Sequence, residues 1–149
     1  MCFQVFLGAD VACPEIPQRD CPDDKAVDLY VFSCEGVGGL TKPYQYHPGI
    51  LSCGCGFSYD IPAADLGDWT LNNHIQLGNY VADCLGNTEP IELFSCWVGA
   101  ESGRAHKHRD ITLAELCDPQ FYFEDLQLTR VYKDEASLNA ARRVAENME

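Results

Sequence analysis

Among the strand-like segments of this chain there is one long stretch of helical periodicity, and it decides the fold class. Between Asp68 and Leu85, the residues Leu71, Ile75, Tyr80, Val81, Cys84 and Leu85 recur at helical spacing. Asp68 is placed to cap the first turn, and Gly86 sits where a helix commonly ends. Gly78 inside the stretch weakens it by about 1 kcal/mol relative to alanine.

The segments around it alternate with period two or are rich in branched and aromatic residues. Cys2–Leu7, Val27–Ser33, Pro43–His47, Ile91–Val98 and Leu126–Tyr132 read as strands, and Phe57 and Tyr59 alternate with polar residues. Residues 9–25, with Pro14, Pro17 and Pro22, and residues 99–109 read as surface loops. Thr112-Leu113-Ala114-Glu115 has capping-box spacing, so a short helix starts there and stops before Asp118-Pro119. Asp134 to Met148 is alanine-rich and carries Leu138, Ala141, Ala145 and Met148 on one face.

Strands with a single long helix among them favour a mostly antiparallel sheet with helices on one side. The expectation is therefore one α+β domain over residues 1–133, with a main helix and a short helix, followed by a C-terminal helical tail at 134–149. Its core should hold Val5, Leu29, Val31, Leu71, Ile75, Val81, Leu93 and Phe94, with Trp69 and Trp97 also inside.

Charge narrows the partners. The net charge is −13, from 23 acidic and 10 basic side chains. Nucleic acid and anionic membrane surfaces both ask for clustered cations, and no lysine or arginine run is longer than Arg142-Arg143. The first twelve residues lack the basic start of a secretion signal. A cytoplasmic location is expected, in which the nine cysteines are thiols or metal ligands rather than disulfides.

Four stretches, "MCFQVFLGAD", "CGCGF", "LFSCWVG" and "LAELCDPQFYFED", resemble motifs of a family of small uncharacterised bacterial proteins. The resemblance covers most of the chain through Tyr132, and "CGCGF" is its most distinctive piece. It implies one intact domain and carries no activity with it.

The sharpest local chemistry is Cys53-Gly54-Cys55-Gly56. Two glycines let the backbone bend so that two thiolates can face one point. A structural zinc site needs four thiolate or imidazole ligands, so the pair would need help. Cys2 and Cys96, each on an expected strand, are the candidate third ligands, and His47 is the candidate imidazole, folded back by Pro48-Gly49. Cys34 and His74 are further donors at no recognised spacing. The same two thiols could exchange disulfides, because a ring closed across one glycine is strained. Cys2 would become an N-terminal nucleophile if Met1 were removed.

His106-Lys107-His108 with Asp110 reads as a solvated loop. Residues 35–42 (Glu-Gly-Val-Gly-Gly-Leu-Thr-Lys) fail as a phosphate loop, because Pro43 blocks the helix that would follow. Three classes of function stay open: a non-catalytic interaction or regulatory domain with a protein partner or a second copy of itself, a zinc-binding domain, and a cysteine-dependent enzyme or thiol–disulfide protein.

Overall fold

A computed structural model describes residues 2–18, 28–50 and 56–148. Six strands form one sheet: β1 (Phe3–Ala9), β2 (Tyr30–Cys34), β3 (Tyr44–Gly49), β4 (Ile91–Trp97), β5 (Lys107–Thr112) and β6 (Gln127–Tyr132). Their order is β2-β3-β1-β4-β6-β5. Every neighbouring pair is antiparallel except β5 and β6. The α+β class with a mostly antiparallel sheet is the observed one. The helices are α1 (Asp68–Leu85), α2 (Leu113–Leu116) and α3 (Glu135–Asn147). None is long and apolar enough to cross a membrane.

Alternate residues of a strand face opposite sides of the sheet. One side takes Phe3, Val5, Leu7, Ile91, Leu93 and Val131, which meet Leu77, Tyr80, Val81, Cys84 and Leu85 of α1. The other side takes Phe6, Phe94, Cys96 and Leu128. Among the described residues, no helical side chain belongs to that second core. The glycine-rich loop after β2 covers it, through Val37 and Leu40, helped by Ala100 and Ala105. A Cβ on Gly39 would collide with the Phe94 ring, and one on Gly38 with the Ser102 carbonyl. The glycines of the apparent phosphate loop are thus there for close packing.

Where structure and expectation differ, the reasons are local. Ile75 is 46% exposed, Trp69 is also exposed and Leu71 is only half-buried. The inward stripe of α1 instead carries Thr70, Asn73, His74 and Leu77. Backbone groups of residues 56–58 lie against that stripe and need partners: Asn73 Nδ2 donates to the Gly56 carbonyl at 2.8 Å, and the Ser58 N–H donates to His74 Nε2 at 2.8 Å. Polar side chains therefore hold positions that an apolar pattern would assign to Leu71 and Ile75. Asp68 does not cap α1; Gly67 is the N-cap and no side chain bonds there.

The segment read as a polar loop at 99–109 ends in β5. That strand is polar because it is an edge strand, with only Ile111 and Thr112 buried. Its parallel pairing follows from the crossover through α2, Phe121 and Phe123, which returns over the α1 side. The opposite edge, β2, is closed. Ile16 exchanges two backbone bonds with Val31 at 2.7 and 2.8 Å, and Glu15 Oε1 accepts from the Ser33 N–H at 2.7 Å. The proline-bearing segment after β1 is therefore partly structural.

The expected short helix is present, with Thr112 Oγ1 accepting from the Glu115 N–H at 3.3 Å. In α3, Asp134 caps the first turn through the Ser137 N–H at 2.8 Å, and Leu138 alone is buried.

Candidate functional site

Cys53 and Cys55 lie outside the described residues. Of their candidate partners, Cys96 belongs to the second core and His47 stacks 4.6 Å from Phe6 in that same layer. Gly56, which follows Cys55 in the sequence, is tied instead to Asn73 on the α1 side. The sheet stands between them. Cys2 precedes β1, where its carbonyl accepts from the Val98 N–H at 2.9 Å. Among the described residues, no three His, Cys, Asp or Glu side chains converge on one point. His108 and Asp110 lie on the exposed edge strand β5.

The structure assembles a different site that no motif announced. A cleft of about 490 Å³ opens between α3 and the end of the second sheet face. Lys42, Arg130 and Arg142 supply cationic lining, Asp110 and Glu146 carboxylate lining, and Pro90, Tyr132, Ala141 and Ala145 the rest. Its foundation is Glu92 on β4, which is fully buried. A buried carboxylate persists only if its oxygens are well partnered. Oε1 accepts from the Thr41 and Lys42 N–H groups at 2.7 and 3.1 Å, and Oε2 accepts from the Thr41 hydroxyl at 2.5 Å. Gly8 on β1 makes this approach possible, since a Cβ there would stand 3.2 Å from both Glu92 Oε1 and Lys42 Cβ.

Glu92 also positions the cleft's central cation. Arg130 Nε is 3.7 Å from Glu92 Oε2, and Arg130 Nη1 is 3.9 Å from Asp110 Oδ1. These are ion pairs at longer than hydrogen-bonding distance, so the guanidinium is oriented by charge and keeps its N–H donors for another acceptor. Lys42 Nζ, by contrast, is held at 2.8 Å by Asp10. Burial pushes the Tyr132 phenol above its ordinary range, so it lines the cleft as an O–H donor.

A second cluster lies beneath α1. His74 is 5% exposed, its Nε2 is 3.0 Å from Ser58 Oγ, and its ring packs among Phe57, Phe121 and Phe123. Burial pushes the imidazole down to about 4, so the ring is neutral. The Ser58 N–H donates to Nε2, which puts the ring proton on Nδ1. Nδ1 and the neighbouring Asn73 Oδ1 find no partner among the described residues. Ser58 is as buried as its histidine, so this pair is closed to a substrate.

The described cysteines Cys2, Cys13, Cys34, Cys84, Cys96 and Cys117 are free thiols. Burial pushes Cys34 up to about 11 and both Cys84 and Cys96 up to about 12, which removes their thiolates at neutral pH. No family model, no curated protein and no solved structure matches the chain.

Proposed function

We propose that the chain is a non-catalytic interaction or regulatory domain whose ligand-facing site is the cleft between α3 and the Glu92–Arg130 end of the sheet. One observation carries this reading. Arg130 is held in the cleft by two ion pairs at 3.7 and 3.9 Å, and its guanidinium makes no hydrogen bond among the described residues. An arginine so placed presents a planar fork to an oxyanion such as a carboxylate. Arg142 on α3 stands on the opposite wall, so an oxyanion entering the cleft would be met from both sides.

The thiol environments also favour a non-catalytic role over a cysteine nucleophile at Cys34, Cys84 or Cys96, since a catalytic cysteine needs a lowered pKa and access. The shallow attachment of α3 supports regulation, because a helix anchored by Leu138 can shift at little cost when its cleft is filled.

The test is an NMR titration of the whole chain with small mono- and dicarboxylates, repeated on Arg130→Gln. Shifts concentrated at residues 130, 132, 141–146 and 42, and lost in the variant, are expected. Shifts scattered over the surface, or unchanged in Arg130→Gln, would refute the assignment.

A further inference from the structure

The chain treats the two edges of its sheet differently. Ile16 and Glu15 close the β2 edge, whereas β5 pairs with β6 alone. The Lys107 N–H donates to the Leu126 carbonyl at 3.2 Å, so the Lys107 backbone faces β6. In a parallel ladder the residues that bond to the neighbour alternate. Lys107, Arg109 and Ile111 therefore bond to β6, and the backbone N–H and C=O groups of His108 and Asp110 point away from the sheet. Those outward groups have no partner among the described residues, and both residues are exposed. Such a row is a template for another strand.

Charge selects which strand can use it. The net charge is −13, yet residues 102–109 (Ser-Gly-Arg-Ala-His-Lys-His-Arg) contain Arg104, Lys107 and Arg109 and no acid. Arg104 and Lys107 are exposed. Arg109 holds its guanidinium 4.6 Å above the Phe121 ring, and its Nη2 donates to the Tyr122 carbonyl at 3.1 Å, which fixes that charge beside the strand. Lys107 reaches Glu124 at 3.3 Å in an exposed pair, which an incoming carboxylate can replace at little cost. Asp110, the acid on the strand, is turned toward Arg130. A second copy of the chain is a poor occupant. Two copies of β5 related by a two-fold axis would run antiparallel about one central residue. Centring on 107 or 109 sets that cation against itself, centring on 108 sets Lys107 against Arg109, and centring on 110 sets Asp110 against itself. Like charges directly opposite are destabilising, so the edge refuses its own kind.

We infer that β5 is a docking edge for an acidic, extended segment of a partner protein, which joins the six-stranded sheet as a further strand. His108 and Asp110 exchange backbone hydrogen bonds with it, and Arg104, Lys107 and Arg109 meet its carboxylates. The main-chain bonds supply affinity and the basic side chains select the acidic sequence. The inference does not rest on the cleft.

The whole protein is titrated with a blocked peptide of alternating glutamate and threonine, about ten residues long, to span β5. Amide shifts and hydrogen exchange are read by NMR. Shifts at residues 104–110 and slowed exchange of the His108 and Asp110 N–H groups are expected. The same peptide N-methylated at every residue keeps its charge but cannot donate to a ladder, and it should not bind; nor should a lysine–threonine peptide. Lys107→Glu should weaken binding about tenfold, and Arg130→Gln should leave it intact. His108→Pro removes an outward N–H without touching the β6 ladder and should abolish binding. If that variant does not fold, the methylated peptide decides. The inference is overturned if the glutamate peptide does not bind, or if the methylated peptide binds as well as the parent. It is equally overturned if exchange at His108 and Asp110 is unchanged, or if binding is lost in Arg130→Gln, which would place the peptide in the cleft. Slowing of those two amides with protein concentration alone would show a self-pairing edge and overturn it too.

Discussion

His74 gives the chain a pH-dependent stability whose size and direction follow from its surroundings. The ring is nearly sealed between Phe57, Phe121 and Phe123, and its Nε2 is occupied by the Ser58 N–H. Burial lowers its pKa from 6.5 to about 4 in the folded chain. The unfolded chain binds a proton near 6.5, whereas the folded chain resists until about pH 4. The contribution to stability is therefore complete above pH 6.5 and lost as pH falls toward 4, with a total of about 3 kcal/mol.

Acid also relieves the self-repulsion of a chain with net charge −13, which acts in the opposite direction. The measurement must therefore be a difference. His74→Gln keeps an acceptor for the Ser58 N–H and cannot titrate. Urea unfolding of both proteins from pH 7.5 to 5.0 stays clear of the pI near 4.5, where solubility falls. The variant should be the less stable at pH 7.5, and the gap should close by about 2 kcal/mol by pH 5.0. Parallel stability curves would show that His74 titrates alike in both states, and the account of a sealed ring would fail.

Two further substitutions test the packing. A Cβ on Gly78 of α1 would stand 2.6 Å from Cys117 Sγ, so Gly78→Ala alone should destabilise or gain nothing. Added to Cys117→Ala, it should raise stability by up to about 1 kcal/mol through helix propensity, as read by thermal unfolding. Glu92→Ala would strip the Thr41 and Lys42 N–H groups and the Thr41 hydroxyl of their acceptor and leave Arg130 without its inner carboxylate. It should cost about 3–5 kcal/mol in urea unfolding, and a loss below about 1 kcal/mol would mean that solvent replaces those bonds.

Local patterns determined much of this protein. The strand at Ile91–Trp97, the span of α1, the capping box at Thr112 and the α+β class with its largely antiparallel sheet all follow from periodicity and from residues a few positions apart. Such signals are legible in a sequence because the groups that produce them are covalent neighbours. Tertiary structure alone decided the rest. A polar β5 becomes a strand only because β6 offers it a ladder, and Asn73 and His74 turn inward only because the backbone at residues 56–58 needs partners there. Glu92 can be buried only because Gly8 leaves room and the Thr41–Lys42 backbone turns its N–H groups toward it. The cleft joins residues from 42 to 146, and the Tyr80–Pro14 hydrogen bond joins α1 to the segment after β1. Neither has a spacing to read, because nothing but the fold brings those residues within reach of one another.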